Sequence, residues 1–247
     1  MPENRFVGKI ARTYDQRSAG MSAPEILSPA VDCLVALADG GPALEFAIGT
    51  GRVAVPLAAR GVEVAGIELS ADMLAELRAK REAANIRAVE GDMAVARIDG
   101  AFSLVYLVFN TITNLTSQDE QVACFENAAR HLRSGGRFVI ENGVPNLRRL
   151  PPGSAAVPFA VTDDYLGIDD FIDQTHRQIS RSRHFLRGRD GHFREFSSPF
   201  RYVWPAELDL MARIAGLTLE HRWADWDRSQ FTSESPSHVS VWRRGDR

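Results

Sequence analysis

Ala43-Leu44-Glu45-Phe46-Ala47-Ile48-Gly49-Thr50-Gly51-Arg52 joins a short apolar run carrying one carboxylate, Glu45, to a loop with two glycines. Residues 53–59 follow with apolar side chains at helical spacing, so the stretch reads as strand, loop and helix. Glycines at such a junction let a ligand approach the backbone closely. Gly49-x-Gly51-x-x-Ala54 also fits the dinucleotide fingerprint, whose last position can be Gly or Ala. A plain tight turn between strand and helix is the alternative reading of so short a motif.

The pattern continues on both sides. Upstream, residues 28–38 have helical spacing and stop at Gly40-Gly41-Pro42. Downstream, 62–69 reads as a second strand ending at Glu68 and Leu69, and Ser70 is a good N-cap for a helix opening at Ala71, with Asp72 in its first turn. Residues 87–90 form a short third strand followed by Gly91-Asp92-Met93. Residues 102–109 are nearly all apolar, as expected of a strand buried on both faces. Residues 119–132 form an amphipathic helix ending at Ser134-Gly135-Gly136, and 137–141 the next strand. Alternating strands and helices predict an α/β fold with a mostly parallel sheet. Open sheets of this kind bind ligands outside the carboxyl ends of their strands. Gly49/Gly51, Glu68 and Asp92 each lie at such an end, and Glu68 sits where a carboxylate can accept from ribose hydroxyls.

These residues together resemble the class I S-adenosylmethionine (SAM)-dependent methyltransferases, over roughly 43–141. Residues 43–51, ALEFAIGTG, look like that family's glycine-rich first motif, and LRSGGRFVIE, 132–141, like its loop and strand after the fourth helix. The resemblance implies a Rossmann-like seven-stranded sheet with helices on both faces and S-adenosyl-L-methionine as cofactor. By that resemblance Glu45 anchors the methionyl amino group, and Gly49 and Gly51 pass under the cofactor, flanked by Thr50 and Arg52. Glu68 holds the ribose beside Leu69, Met73 packs on the adenine, and Asp92 bonds the adenine amine between Gly91 and Met93. Tyr14-Asp15 resembles a tyrosine motif placed over the methionyl end, and Phe109 closes the set. Ala47 is a departure, because the family usually has its first glycine there. The acidic Glu45 suits the ammonium and sulfonium of SAM; beside the pyrophosphate of a nicotinamide dinucleotide it would be awkward.

Methyl transfer from a sulfonium is a direct in-line displacement, in which holding the partners in line can supply ~7–11 kcal/mol. A general base adds ~10²–10⁴-fold. The acceptor is expected to be the N or O of a small molecule. Phe109-Asn110-Thr111, after the fourth strand, could shape its pocket. The other candidate region is the stretch from 151 to 203, opened by Pro151-Pro152-Gly153, where several antiparallel strands are expected, with a hairpin at Asp190-Gly191. This insertion could be a lid, an acceptor platform or the surface of a homodimer. Residues 1–150 are then the cofactor-binding core, and 204–247 a helix at 205–215 and strands at 217–223 and 237–242 that complete its sheet. Acceptor-side catalytic candidates are His184, Tyr14 and Asn110; His176 and His192 are further histidines that could titrate near neutrality. Trp204, Trp223 and Trp226 could wall an apolar pocket or belong to the core.

Composition excludes some functions. A 247-residue chain with 45% hydrophobic and 25% charged residues can bury a substantial core. A net charge of -3 exerts no global pull on nucleic acid or anionic membrane. Arg181, Arg183, Arg187 and Arg189 share an alternating strand face, which leaves an RNA methyltransferase as one rival and a solvated face as the plainer reading. A non-enzymatic SAM-binding module is another rival, and an NAD-dependent oxidoreductase a third. Cys33 and Cys124 are the only cysteines, too few for a zinc framework or disulfide scaffold. No His/Asp/Glu spacing suggests a metal site. The longest apolar run is far too short to span a bilayer, and the first residues lack a signal-peptide core, so a cytoplasmic enzyme is expected.

Overall fold

The computed structural model describes residue 4, residues 6–147 and residues 150–245. The chain opens with two single-turn helices, α1 (Lys9–Arg12) and α2 (Tyr14–Arg17), a 3₁₀ turn at Ala19–Ser22, and α3 (Pro24–Ala38). There follow β1 (Ala43–Phe46), α4 (Ala54–Ala59), β2 (Val64–Glu68), α5 (Ala71–Arg78), β3 (Arg87–Glu90), β4 (Phe102–Leu107), a 3₁₀ turn at Thr111–Asn114, α6 (Gln118–His131) and β5 (Leu132–Gly143). Four strands come next: β6 (Ala156–Val161), β7 (Tyr165–Asp173), β8 (Ile179–Arg187) and β9 (Phe193–Arg201). The described chain ends with α7 (Pro205–Ile214), β10 (Leu217–Trp223) and β11 (Ser237–Arg244).

Seven strands form one sheet in the order β10-β11-β5-β4-β1-β2-β3, parallel from β3 to β5 and antiparallel at β11 and β10. The order reverses between β1 and β4, which opens a crevice at their carboxyl ends. Every residue of β4 is buried, as its unbroken apolar run requires. One apolar layer lies between the sheet and α6/α7, around Phe125, Phe138 and Trp242. The other lies against α3, α4 and α5, around Leu34, Leu57 and Leu74. Local chemistry sets the helix starts. The Ser70 side chain accepts from Met73 N–H, and Ser117 and Glu120 form a reciprocal capping box at α6.

Two element starts differ from expectation by four residues or more. α3 starts a turn early, at Pro24, because proline is tolerated in a first turn; Pro29 lies inside the helix and has no N–H to give the Glu25 carbonyl. β5 begins directly after α6, at Leu132. Gly136 lets the strand pass close to Phe102, whose carbonyl oxygen would lie 3.0 Å from an added Cβ.

β6 to β9 form a separate antiparallel sheet, β6-β7-β8-β9. Gly191, at φ 80°, turns the β8–β9 hairpin where Asp190-Gly191 predicted it. A buried polar cluster roots the sheet in the core. Arg201, 2% exposed, donates to Glu207 Oε1 at 2.6 Å, Gln121 Oε1 at 2.5 Å and Gln178 Oε1 at 2.9 Å. Gln121 Nε2 in turn donates to the carbonyls of Ile112, Leu115 and Arg201, each at 3.2 Å.

Candidate functional site

The loop after β1 needs left-handed backbone at three of five residues: Ala47 at φ 53°, Gly49 at 57° and Gly51 at 84°. Gly51 also has no room for a side chain, since a Cβ would lie 2.5 Å from Leu77 Cδ1. Ala47 is the departure singled out above, and it adopts the conformation its glycine counterpart would hold without strain.

Glu68, at the end of β2, ties this loop down. Its Oε2 accepts from Gly49 N–H at 2.8 Å, and its Oε1 from Ser70 N–H at 2.9 Å. Burial raises its pKa, against the backbone N–H groups of Ser70, Gly49 and Leu69. Each carboxylate oxygen keeps a second lone-pair direction for a ligand. Glu68 borders a cavity of about 380 Å³ whose walls also include Ala47, Leu69, Gly91, Asp92 and Met93. Six of the cofactor residues proposed from sequence therefore meet there, together with Thr111 of the proposed acceptor turn. Asp92 is set by its own turn, accepting from Ala94 N–H at 2.9 Å.

Other expected residues lie around that cavity, off its walls. Met73 is buried behind the loop, where its Cε would touch a Cβ at Gly49 at 3.4 Å. Glu45 points beneath the loop. Its Oε2 accepts from Tyr106 OH at 2.9 Å, and burial lifts its pKa to about 8, against that bond, Arg52 and Ala54 N–H. The Tyr14 phenol faces Arg52, Glu68 and Glu45; burial and the carboxylates raise its pKa, and Arg52 opposes them. Thr50 is held from the side: its hydroxyl donates to Asp15 Oδ1 at 2.5 Å, and Lys80 Nζ lies 2.6 Å from both Asp15 Oδ2 and Thr50 O.

Phe109 and Asn110 are consecutive left-handed residues, at φ 57° and 60°. The Phe109 N–H donates to Glu141 Oε2 at 2.8 Å, and Asn110 N–H to Glu141 O at 3.2 Å. This turn leaves the Phe109 ring 47% exposed, with the Arg52 guanidinium 5.2 Å from its centroid. A second cavity, of about 390 Å³, opens beyond Arg52 and Phe109 toward Glu25, Glu141 and Trp226. His184 lies on the insertion, off the walls of both cavities. Its Nδ1 is 2.7 Å from Tyr165 OH, its ring stacks 4.6 Å from Phe196, and burial lowers its pKa. Arg183 of the insertion is paired with Glu195 at 2.7 Å.

Several wall residues had no sequence signal. Asn4 and Phe6 are brought in by the N-terminal segment, which is strapped down by Gly8 N–H to Asp72 Oδ2 at 2.5 Å and Ser70 Oγ to Phe6 O. Asn114, Thr116, Glu120 and Pro199 come from the turn after β4, the start of α6 and β9. Among the described residues no helix is long and apolar enough to cross a membrane, and no three His, Cys, Asp or Glu are grouped to hold a metal ion.

A tight loop left-handed at Gly49 and Gly51, with carboxylates at Glu68 and Asp92 along successive strand ends, fits a ligand that is cationic at one end and carries a ribose and an adenine. The family model described as a methyltransferase domain matches residues 43–136. The CcbJ methyltransferase of Streptomyces caelestis shares the whole architecture, with a TM-score of 0.83 and 36% identity over 96% of each chain. The chain belongs to the class I SAM-dependent methyltransferases. This methyltransferase is also 28% identical to the cypemycin N-terminal methyltransferase of a Streptomyces species, over 83% of this chain and 84% of the relative. It is 33% identical to the dTDP-3-amino-3,6-dideoxy-alpha-D-glucopyranose N,N-dimethyltransferase of Streptomyces fradiae, over 57% and 55%.

Proposed function

We propose that this enzyme methylates the nitrogen of a small-molecule amine in the cytoplasm. The supporting observation is that the relatives whose acceptor is stated in their names modify amines, and one of them aligns over 84% of its length. Glu68 would hold the ribose hydroxyls, Asp92 the adenine amine, and Gly49 and Gly51 would let the cofactor lie against the backbone. Tyr14 and Arg52 would receive the methionyl end, and Glu45 would complement its charge from below the loop. Bound there, SAM supplies a methyl group already activated by a sulfonium. The chain's own task is to hold the amine in line and exclude water, the larger part of the barrier reduction. Phe109 and Asn110, whose left-handed turn lies beside Arg52 of the cofactor loop, would do this.

The test is methyl transfer from labelled SAM to a panel of primary and secondary amines, with matched alcohols and with RNA. Label on amines alone supports the reading. Label on alcohols, or on RNA with a yield that falls steeply with salt, would replace it.

A further inference from the structure

The second cavity is bounded by parts of the chain that lie far apart in sequence: the start of α3, the cofactor loop at Arg52 and Val53, the ends of β4 and β5 at Phe109 and Glu141, and the loop before β11 at Asp225 to Asp227. Its floor is apolar and buried, formed by Ala30, Val53, Val108 and Trp226. At about 390 Å³ it is large enough for a small organic molecule. The first cavity is its neighbour on two sides. Ala47 of the cofactor loop lines the first and Arg52 the second; in the turn after β4, Thr111 lines the first and Phe109 the second. That loop and that turn form the partition between them.

The walls are unevenly charged. Glu25, Glu141, Asp225 and Asp227 surround the space, against one cation, Arg52. None of the four carboxylates has an ion-pair partner among the described residues. Arg52 is turned to the Phe109 ring and to the Met21 carbonyl, and Arg228 lies over the Trp223 ring at 5.2 Å. Glu141 and Asp225 each give one oxygen to a backbone N–H, that of Phe109 at 2.8 Å and that of Trp226 at 2.7 Å, and keep the other. Like charges held around a partly enclosed space repel one another, and a cation placed among them relieves the repulsion. Phe109 and Trp226 add aromatic surface, which also attracts cations. The apolar floor makes room for an organic body, and the walls fix its charge.

We propose that the second cavity takes the acceptor as an organic ammonium, with its apolar body against Trp226 and its charge read by Glu141 and Asp225. This rests on the amine-methylating function proposed above and names the acceptor class. Amines with a compact apolar body are favoured over neutral and anionic analogues of the same shape. Arg52 and Phe109, at the partition, set that ammonium beside the methionyl end proposed for the cofactor.

Benzylamine, benzyl alcohol and benzoate share one body and are a cation, a neutral molecule and an anion at neutral pH. The experiment titrates each into the full-length protein saturated with S-adenosylhomocysteine, following the indole N–H signal of Trp226 by NMR, identified by its loss in Trp226→Phe. The wild type is compared with Glu141→Gln/Asp225→Asn, which keeps an acceptor for both backbone N–H groups. The wild type is expected to bind benzylamine at least about ten-fold more tightly than benzyl alcohol, with the Trp226 signal moving, and to leave benzoate unbound. In the double variant the ratio should fall to about two or less, with S-adenosylhomocysteine affinity retained. If the double variant loses S-adenosylhomocysteine, Asp225→Asn alone carries the comparison, and the ratio should still fall by at least about two-fold. Equal affinities in the wild type, no benzylamine binding up to about 10 mM, a Trp226 signal that stays in place, or an unchanged ratio in the variants overturns the proposal alone. Failure of S-adenosylhomocysteine to bind the wild type overturns the functional reading beneath it as well.

Discussion

Glu68 Oε2 and the Gly49 N–H, 19 residues apart, are joined at 2.8 Å, so the group proposed to take the ribose also holds the loop that would lie under it. Substitution at Glu68 should therefore remove two contributions at once. Glu68→Ala is expected to weaken SAM and S-adenosylhomocysteine alike by roughly 10–100-fold, the loss of about 1.5–3 kcal/mol of charge-assisted hydrogen bonding. Calorimetric titration checks this; unchanged affinity would separate Glu68 from the cofactor.

Ala47 holds a left-handed conformation that costs an L-residue about 1–2 kcal/mol. Ala47→Gly relieves this but gives the unfolded chain about 0.4–1 kcal/mol more entropy. The net expectation is a stability gain between zero and about 1.6 kcal/mol with SAM affinity retained, read by denaturant titration with and without cofactor. A clear loss of stability would mean that the Ala47 methyl makes contacts worth more than the strain.

Arg201 is a buried charge whose partners span α6, α7 and the root of the insertion. Removing it leaves Glu207, whose pKa Arg201, Gln178 and Gln118 keep low against burial, without its cation. Arg201→Ala should cost about 3–5 kcal/mol, whereas Arg201→Met with Glu207→Leu should cost much less. If both variants unfold at the same denaturant concentration, the ion pair is not what roots the insertion.

Glu45 gives a pH signature. Burial lifts its carboxyl from 4.5 to about 8, so the folded ligand-free protein retains a proton that the unfolded chain releases. The stability this provides is complete below pH 4.5 and is lost as pH rises toward 8. Glu45→Gln, which still accepts from Tyr106, should flatten that decline and be the more stable form near pH 8.5. Parallel melting curves across pH 5–8.5 would show that Glu45 is already ionised at the lower end.

His238 has the opposite slope. Burial moves it from 6.5 to about 4, so the folded protein resists protonation. Its contribution is intact above pH 6.5 and is lost as pH falls toward 4. The nitrogen NMR signals of His238 should report a neutral ring at pH 5.5; a protonated ring there would refute the assignment.

The sequence was most legible where local chemistry acts alone. β3 runs from Arg87 to Glu90 as read, and Ser70 caps α5. The cavity wall from Glu68 to Met93 was visible because three strand ends, each marked by a turn or a carboxylate, must converge in a parallel sheet. Other parts depend on neighbours far along the chain. Tyr106 sits inside an apolar run, and nothing in β4 says its hydroxyl meets Glu45 on the next strand. Gln121 and Arg201, 80 residues apart, carry no mark in the sequence, and only their packing makes them a buried cluster. The left-handed turn at Phe109-Asn110 has no glycine to announce it. Histidines drew attention because they titrate, which brought His184 forward and passed over His238, buried within a short apolar strand.

The rooted sheet has a mechanical consequence. Arg201 and Gln178 anchor it at one end, and the Gly191 hairpin lies at the other, about nine residues or roughly 30 Å away. A beam fixed at one end and loaded along its length amplifies small rotations at its base. About ten degrees at Arg201 would carry the hairpin roughly 5 Å, on a lever of that length. The largest displacement would then come from a few side chains at the anchor, and a ligand that stiffened the anchor would still the far end without touching it.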